Sequence, residues 1–139
     1  MVKAAFLQLR LIHGSFIVTW FAFILLTVYV VHPVDKLTGM TMPLVFGVAA
    51  LSGISVAWTL RPKLVTAPAE ELARQPDNAA QLQRWRSGNI LQFVFAESVT
   101  LFGVVLRLLG GDWPVAAPFF ALGLLMLLLS APRDPSRQF

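Results

Sequence analysis

Glu97 is the residue whose type and position in the sequence most suggest chemistry. It stands in a mainly apolar stretch, about residues 88–109, and follows Arg86 by eleven residues. At about 1.5 Å per residue, that spacing places Glu97 roughly 16 Å along a helix, near the middle of a bilayer core about 30 Å thick. A carboxylate at that depth costs a few kcal/mol, so such residues usually face a partner or a cavity.

Two interpretations of Glu97 follow from this position. In the first, the carboxyl binds a proton or an ion that crosses the membrane. In the second, a neutral Glu97 donates a hydrogen bond within a helix bundle or to another subunit. Gln92, Ser98 and Thr100 are the polar neighbours along the same stretch, and only some of them can share a helical face with Glu97.

His13 and His32 are the two histidines of the chain, nineteen residues apart at the ends of one apolar run. Two haems with paired histidine ligands would need four histidines, so a self-contained cytochrome b is excluded. A single histidine can still ligate a chlorophyll-type pigment, or a haem shared with a partner. The simpler interpretation is an interfacial histidine that hydrogen-bonds to water or headgroups.

No pattern typical of an enzyme is present in the sequence. There is no glycine-rich phosphate loop, no Gly-x-Ser-x-Gly and no His-Glu-x-x-His. The absence of cysteine excludes disulfides, cysteine-ligated zinc and iron–sulfur clusters. We therefore expect a non-enzymatic protein with no catalytic residue, no metal site and no cofactor that the sequence requires, although a bound lipid or a shared pigment is compatible with it.

The composition indicates an integral membrane protein. Hydrophobic residues make up 57% of the 139 residues and charged residues only 13%, whereas soluble domains carry about 25% charged residues. Four apolar runs are candidate membrane-spanning helices, at about residues 11–31, 42–60, 88–109 and 115–130. The fold predicted from them is an all-α bundle of two helical hairpins in a single transmembrane domain, residues 1–139.

Three polar segments flank these runs. Residues 61–87 are predicted to form a connecting loop, in which Pro62 ends the second span. A break is expected at residues 75–78. Residues 132–139 are expected to be a flexible tail.

The distribution of cations predicts the orientation in the membrane. Nine of the eleven lysines and arginines flank the apolar runs on one side: Lys3, Arg10, Arg61, Lys63, Arg74, Arg84, Arg86, Arg133 and Arg137. Lys36 and Arg107 lie on the other side. The positive-inside rule therefore predicts that both termini and the 61–87 loop are cytoplasmic. The expected location is a bacterial inner membrane. Because the basic residues form no single stripe, the net charge of +4 does not predict nucleic-acid binding.

Part of the chain resembles a rotary ATP synthase proteolipid, the c subunit. The resemblance covers residues 43–106 and is carried by Ala73-Arg74-Gln75-Pro76-Asp77 and by the stretch from Phe95 to Val105. It implies that Glu97 is a proton-carrying carboxyl and that Arg74, Gln75 and Pro76 form a loop that meets a central stalk. The small residues of the inner helix would be Gly47, Ala50, Gly53 and Ala57, whose spacing permits close helix packing.

The chain as a whole resembles small bacterial membrane proteins of uncharacterised function that consist of two helical hairpins. The shared pattern is Ile-Leu-x-Phe-x-x-Ala-Glu-x-x-x-Leu-Phe, matched from Ile90 to Phe102. This resemblance implies a fold, and a role of Glu97 in folding or assembly, but no activity.

Three functions are compatible with these observations. The first is an accessory or scaffold subunit that binds other membrane proteins, or further copies of itself, in the lipid bilayer. The second is a proteolipid-like proton carrier that uses Glu97. The third is an oligomeric small transporter, suggested by two hairpins of similar size.

Overall fold

The computed structural model describes residues 1–29 and 39–135, and the described chain is helical with no β-strand. Five α-helices follow one another: α1 Val2–Tyr29, α2 Thr41–Arg61, α3 Ala67–Arg74, α4 Ala79–Leu108 and α5 Trp113–Leu129. A π-helical turn, Pro62–Thr66, joins α2 to α3. The predicted all-α class is confirmed.

Three helical segments are long and apolar enough to cross a membrane. They are Val2–Tyr29, the continuous segment Thr41–Arg74, and Ala79–Leu108. The fourth apolar helix, α5, has 17 residues, which corresponds to about 26 Å. The predicted starts of the first and third spans, residues 11 and 88, lie well inside α1 and α4, because polar residues near both N-termini continue the helix.

The prediction that Pro62 ends the second helix is wrong. Pro62 has a helical backbone, with φ of −58° and ψ of −40°, and the chain widens there into the π-helical turn. The Ala67 N–H donates to the Pro62 carbonyl, five residues earlier. Proline can adopt helical dihedrals, and the wider turn follows Pro62 in the chain. Consequently most of the predicted 61–87 loop is helical, and the chain leaves the helix only at residues 75–78, where a break was predicted.

Helix α4 is the centre of the bundle and contacts α1, α2, α3 and α5. Helices α4 and α2 are antiparallel. Gln92 bonds to the Ala57 carbonyl, whereas Phe102, later in α4, stacks on Phe46, which lies eleven residues before Ala57 in α2. Between α1 and α2 contacts are sparse within the described residues. The first two spans therefore pack on α4 more than on each other.

Helices α4 and α5 form a tight antiparallel hairpin. Their backbones approach closely at two glycines, Gly103 beside Ala116 and Gly123 beside Ala96 and Thr100. The turn between them contains Gly110, whose φ of +88° is strongly unfavourable for other residues. This close approach explains why α5 is the main packing partner of α4.

Helix α1 runs antiparallel to α5 and therefore parallel to α4. The His13 ring bonds to the Leu127 carbonyl at 2.8 Å, and the Trp20 indole N–H donates to the Phe120 carbonyl at 2.9 Å. The N-termini of α1 and α4 and the C-termini of α2 and α5 thus share one end of the bundle. That end carries every described lysine and arginine except Arg107.

The outer surface of the bundle is apolar. In the most apolar stretch of 18 residues, 11% of the residues are buried in α1 and in the segment Thr41–Arg74. In α4 the corresponding share is 50%. Large side chains such as Leu11, Val18, Val48 and Leu51 are more than 60% exposed. In the predicted flexible tail 132–139, the described part packs instead on the bundle, because Pro135 is fully buried.

Candidate functional site

Glu97 lies in the middle of α4, on the border between its buried and exposed sides. Phe93, one turn earlier, is fully buried, whereas Val94 and Leu101 are exposed. Both carboxyl oxygens of Glu97 are enclosed by protein atoms, and neither has a hydrogen-bond partner. Unsatisfied buried polar side chains are rare in folded proteins and call for an explanation such as a ligand, an ion or a functional role.

The polar residues near Glu97 in the sequence bond to other groups. Gln92 donates to the Ala57 carbonyl at 2.8 Å, which ties α4 to α2. Ser98 and Thr100 donate to carbonyls of their own helix, those of Val94 and Ala96. These side chains stabilise the helix and its packing, and leave the carboxyl without a partner among the described residues.

Aromatic side chains of α1 pack beside this part of α4. The ring centroids of His13 and Phe16 lie 5.1 and 5.7 Å from that of Phe93. Because Phe93 and Glu97 are four residues apart, they lie on the same side of α4. His13 therefore contacts α4 one helical turn before Glu97.

One ring nitrogen of His13 is already used within the protein. Since a carbonyl accepts only from a donor, the Nε2 atom that faces Leu127 carries a proton. A pigment or haem iron would therefore have to bind through Nδ1. His32, the other predicted pigment ligand, lies outside the described residues. Within the described ranges no group of three metal-ligating side chains is present.

Arg74, Gln75 and Pro76 are exposed together at the break between α3 and α4. The Gln75 N–H continues the helix by bonding to the Glu71 carbonyl, and the chain then turns. Asn78 caps α4, because its side-chain oxygen accepts from the Gln81 N–H at 3.2 Å. The predicted partner loop is thus a short, solvent-facing corner at the cation-rich end of the bundle.

Three of the four predicted packing residues of α2 face α4. Ala50 and Ala57 are buried, and Gly53 lies 3.9 Å from the Phe95 ring when a Cβ is built on it. Gly47 has nothing within 4 Å of such a Cβ and so contributes no close contact. The small residues therefore serve packing within this chain.

The sequence did not predict which residues bond to the free carbonyls at the C-terminal end of α5. The Leu127 carbonyl accepts from His13, and the Leu129 carbonyl accepts from Arg61 at 2.8 Å. Carbonyls in the last turn of a helix lack helical partners, and a nearby cation also stabilises the negative end of the dipole. The only sequence signal was the position of these two residues near the ends of their own spans.

No family model, no curated protein and no solved structure matches this chain. What the protein does has therefore to be inferred from its own residues and their geometry.

Proposed function

We propose that the chain is an integral protein of a bacterial inner membrane with four spans and both termini in the cytoplasm. In this arrangement α5 is the fourth span, and its length lies at the lower limit of about 17 residues for a crossing helix. The alternating directions of α1, α2, α4 and α5 support an even number of crossings. The concentration of cations at one end supports a cytoplasmic location of that end.

Within that membrane, the function best supported is that of a non-catalytic accessory or scaffold subunit. The observation that carries this proposal is the character of the outward faces of α1 and α2. Hydroxyl side chains lie there among exposed apolar ones: Ser15 and Thr19 on α1, and Ser52, Ser55 and Thr59 on α2. Small and hydroxyl residues are enriched where membrane helices pack against one another, because they allow close backbone approach.

Four of these hydroxyls form hydrogen bonds within their own helices. Ser15, Thr19, Ser52 and Thr59 donate to carbonyls three or four residues earlier in their own helices. Each hydroxyl is therefore satisfied before any partner arrives. A second membrane helix can dock on such a face without leaving a polar group unpaired.

A matched pair of bulky substitutions on α2 tests the proposal. Ser52→Phe fills the centre of the outward face, whereas Leu51→Phe enlarges a residue that is already large and 63% exposed. After crosslinking in native membranes and extraction in mild detergent, the wild-type chain and Leu51→Phe should migrate in a larger complex. Ser52→Phe should migrate as the free chain.

Two results would refute the scaffold function. One is a wild-type chain that migrates alone even after crosslinking; the other is an equal loss of the complex in both variants. If mass analysis of the complex finds only this chain, the partner is a further copy of the protein. A different membrane protein in the complex makes the chain a subunit of a hetero-complex.

A second candidate function, proton transfer through Glu97, is favoured by the two unpartnered carboxyl oxygens. A carboxyl without an internal partner can take up a proton or an ion without first breaking a hydrogen bond. The proteolipid resemblance assigns the same role to Glu97. In the resembled family, however, the carboxyl-bearing helix is the outer one, whereas α4 is covered here by the other helices.

Carbodiimide labelling distinguishes this candidate. An apolar carbodiimide should modify Glu97 in membranes and abolish proton flux in liposomes, and Glu97→Gln should be unlabelled and inactive. Glu70, exposed on α3, reports labelling of an acid at the water interface. Proton flux that stays at protein-free levels in the wild type would eliminate the carrier function and leave the scaffold function intact.

The two hairpins differ in structure, because contacts between α1 and α2 are sparse within the described residues whereas α4 and α5 form a tight hairpin. This difference does not favour the transporter function that two similar hairpins suggested.

A further inference from the structure

A polar cavity of about 190 Å³ lies at the cation-rich end of the bundle, away from Glu97. It opens where α2 passes into the π-helical turn and where the chain emerges from α5. Its lining residues come from α2, the π-helical turn, α3, α4 and the segment after α5: Arg61, Val65, Thr66, Ala69, Trp85, Asn89, Ala131 and Arg133. Since one water occupies about 30 Å³ of liquid volume, the cavity has room for a small ion with several waters.

The lining of this cavity is positively charged. Arg61 and Arg133 both face it, Thr66 and Asn89 add polar atoms, and none of the lining residues is acidic. Two guanidinium groups beside one cavity attract an anion to it. The arrangement therefore favours a negatively charged occupant.

Arg61 is held in place by the fold. The Arg61 guanidinium donates one N–H to the Leu129 carbonyl and lies 5.4 Å from the centre of the Trp58 ring. A guanidinium has five N–H groups, so this bond uses one of them. Arg133 is exposed and stands two residues before the fully buried Pro135. An arginine that is already ordered, such as Arg61, loses little conformational freedom when a ligand binds.

We propose that this cavity binds a phosphate group, with Arg61 and Arg133 as the charged ligands. The planar fork of arginine matches the oxygens of phosphate and forms paired, charge-assisted hydrogen bonds with them. The cavity lies at the level where the apolar helices end, which in a bilayer is the headgroup region. The phosphate can belong to an anionic phospholipid or to a soluble phosphate compound, and both share this chemistry. Phosphate binding at this cavity needs no partner subunit.

The test uses the full chain purified in mild detergent and two probes. Native mass spectrometry measures binding of phosphatidylglycerol against phosphatidylcholine. Thermal unfolding measures protection by inorganic phosphate against sodium chloride of equal ionic strength. Arg133→Gln is the principal variant, because Arg133 is exposed and its replacement leaves the Arg61–Leu129 bond intact. Arg74→Gln, an exposed arginine outside the cavity, is the matched control.

Wild type should bind phosphatidylglycerol more tightly than phosphatidylcholine, and Arg133→Gln should weaken that binding by about tenfold, as expected for one charge-assisted contact. Arg74→Gln should change it less than about twofold. Arg61→Lys keeps the charge and removes the fork, so it should also weaken binding. Lipid binding without protection by inorganic phosphate identifies a headgroup site, and protection by inorganic phosphate at millimolar concentration identifies a soluble ligand.

Two results would overturn the phosphate site. The first is equal binding of the two lipids together with no specific protection by phosphate. The second is an Arg133→Gln effect no larger than that of Arg74→Gln, because the charge of the whole surface would then account for any binding. Both results leave the migration test of the scaffold function unaffected.

Discussion

Replacing Glu97 with methionine should make the protein more stable and remove whatever the carboxyl does. Methionine has a similar length and fills the same space, but it has no polar oxygen to satisfy. In the wild type, both carboxyl oxygens are buried without a partner. Leaving a buried polar group unpaired costs about 1–3 kcal/mol.

The expected gain lies at the lower end of that range. In a bilayer the unfolded helices keep the carboxyl in a medium that is also poor in partners, and measured polar contacts in membrane proteins average about 0.6 kcal/mol. We therefore expect Glu97→Met to raise the free energy of unfolding by about 1 kcal/mol. Glu97→Gln keeps two polar groups at this position and should stay within about 0.5 kcal/mol of the wild type.

The assay is equilibrium unfolding in mixed micelles titrated with SDS, followed by tryptophan fluorescence. Gln92→Leu serves as the comparison, because it removes a made hydrogen bond to Ala57 and should lower stability by about 1 kcal/mol. The two substitutions on the same helix should thus shift the midpoint in opposite directions. A Glu97→Met variant that is less stable than wild type by about 1 kcal/mol would refute the reasoning, since the carboxyl would then have a stabilising partner in the folded protein.

Three further substitutions test the packing. Gly88→Ala should lower the free energy of unfolding by about 1–3 kcal/mol in the same titration, because the added Cβ would overlap a backbone carbonyl of the π-helical turn. Gly14 has open space around it, so Gly14→Ala should leave the stability unchanged. Gly123→Ala should be destabilising by a similar amount, because its Cβ would collide with the Thr100 hydroxyl, and Gly123→Ala with Thr100→Ser should not recover it, since the hydroxyl remains. Trp20→Phe removes one buried hydrogen bond and should lower the free energy of unfolding by about 1 kcal/mol, which lowers the thermal midpoint. An unchanged midpoint would show that this bond does not stabilise the protein.

Much of the fold could be predicted because apolar runs and breaks are local properties of the sequence. The break at residues 75–78 and the position of Glu97 within a long helix needed only the pattern of polar and apolar residues. Pro62 shows where a local rule fails. Proline is compatible with helical dihedrals, and whether the chain stops or widens into a π-turn depends on what α3 packs against.

The parts of the site that depend on distant residues could not be predicted. His13 reaches the Leu127 carbonyl across 114 residues of chain, and Arg61 reaches that of Leu129 across 68 residues. No periodicity in one segment encodes such a pair. The depth of Glu97 in its apolar stretch predicts that it faces a partner or a cavity. Its enclosed, unpartnered oxygens are compatible with that prediction. Which group binds there depends on residues that come together only in the folded protein.

The central position of α4 has a consequence for the order in which the protein assembles during synthesis. The ribosome completes α1 and α2 first, yet these two helices have few contacts with each other and pack mainly on α4. Before α4 is made, α1 and α2 therefore lack their main packing partner among the described residues. The end of α5 receives its hydrogen bonds from α1 and α2 later still. The packing of the bundle is therefore complete only when its last helix has been made.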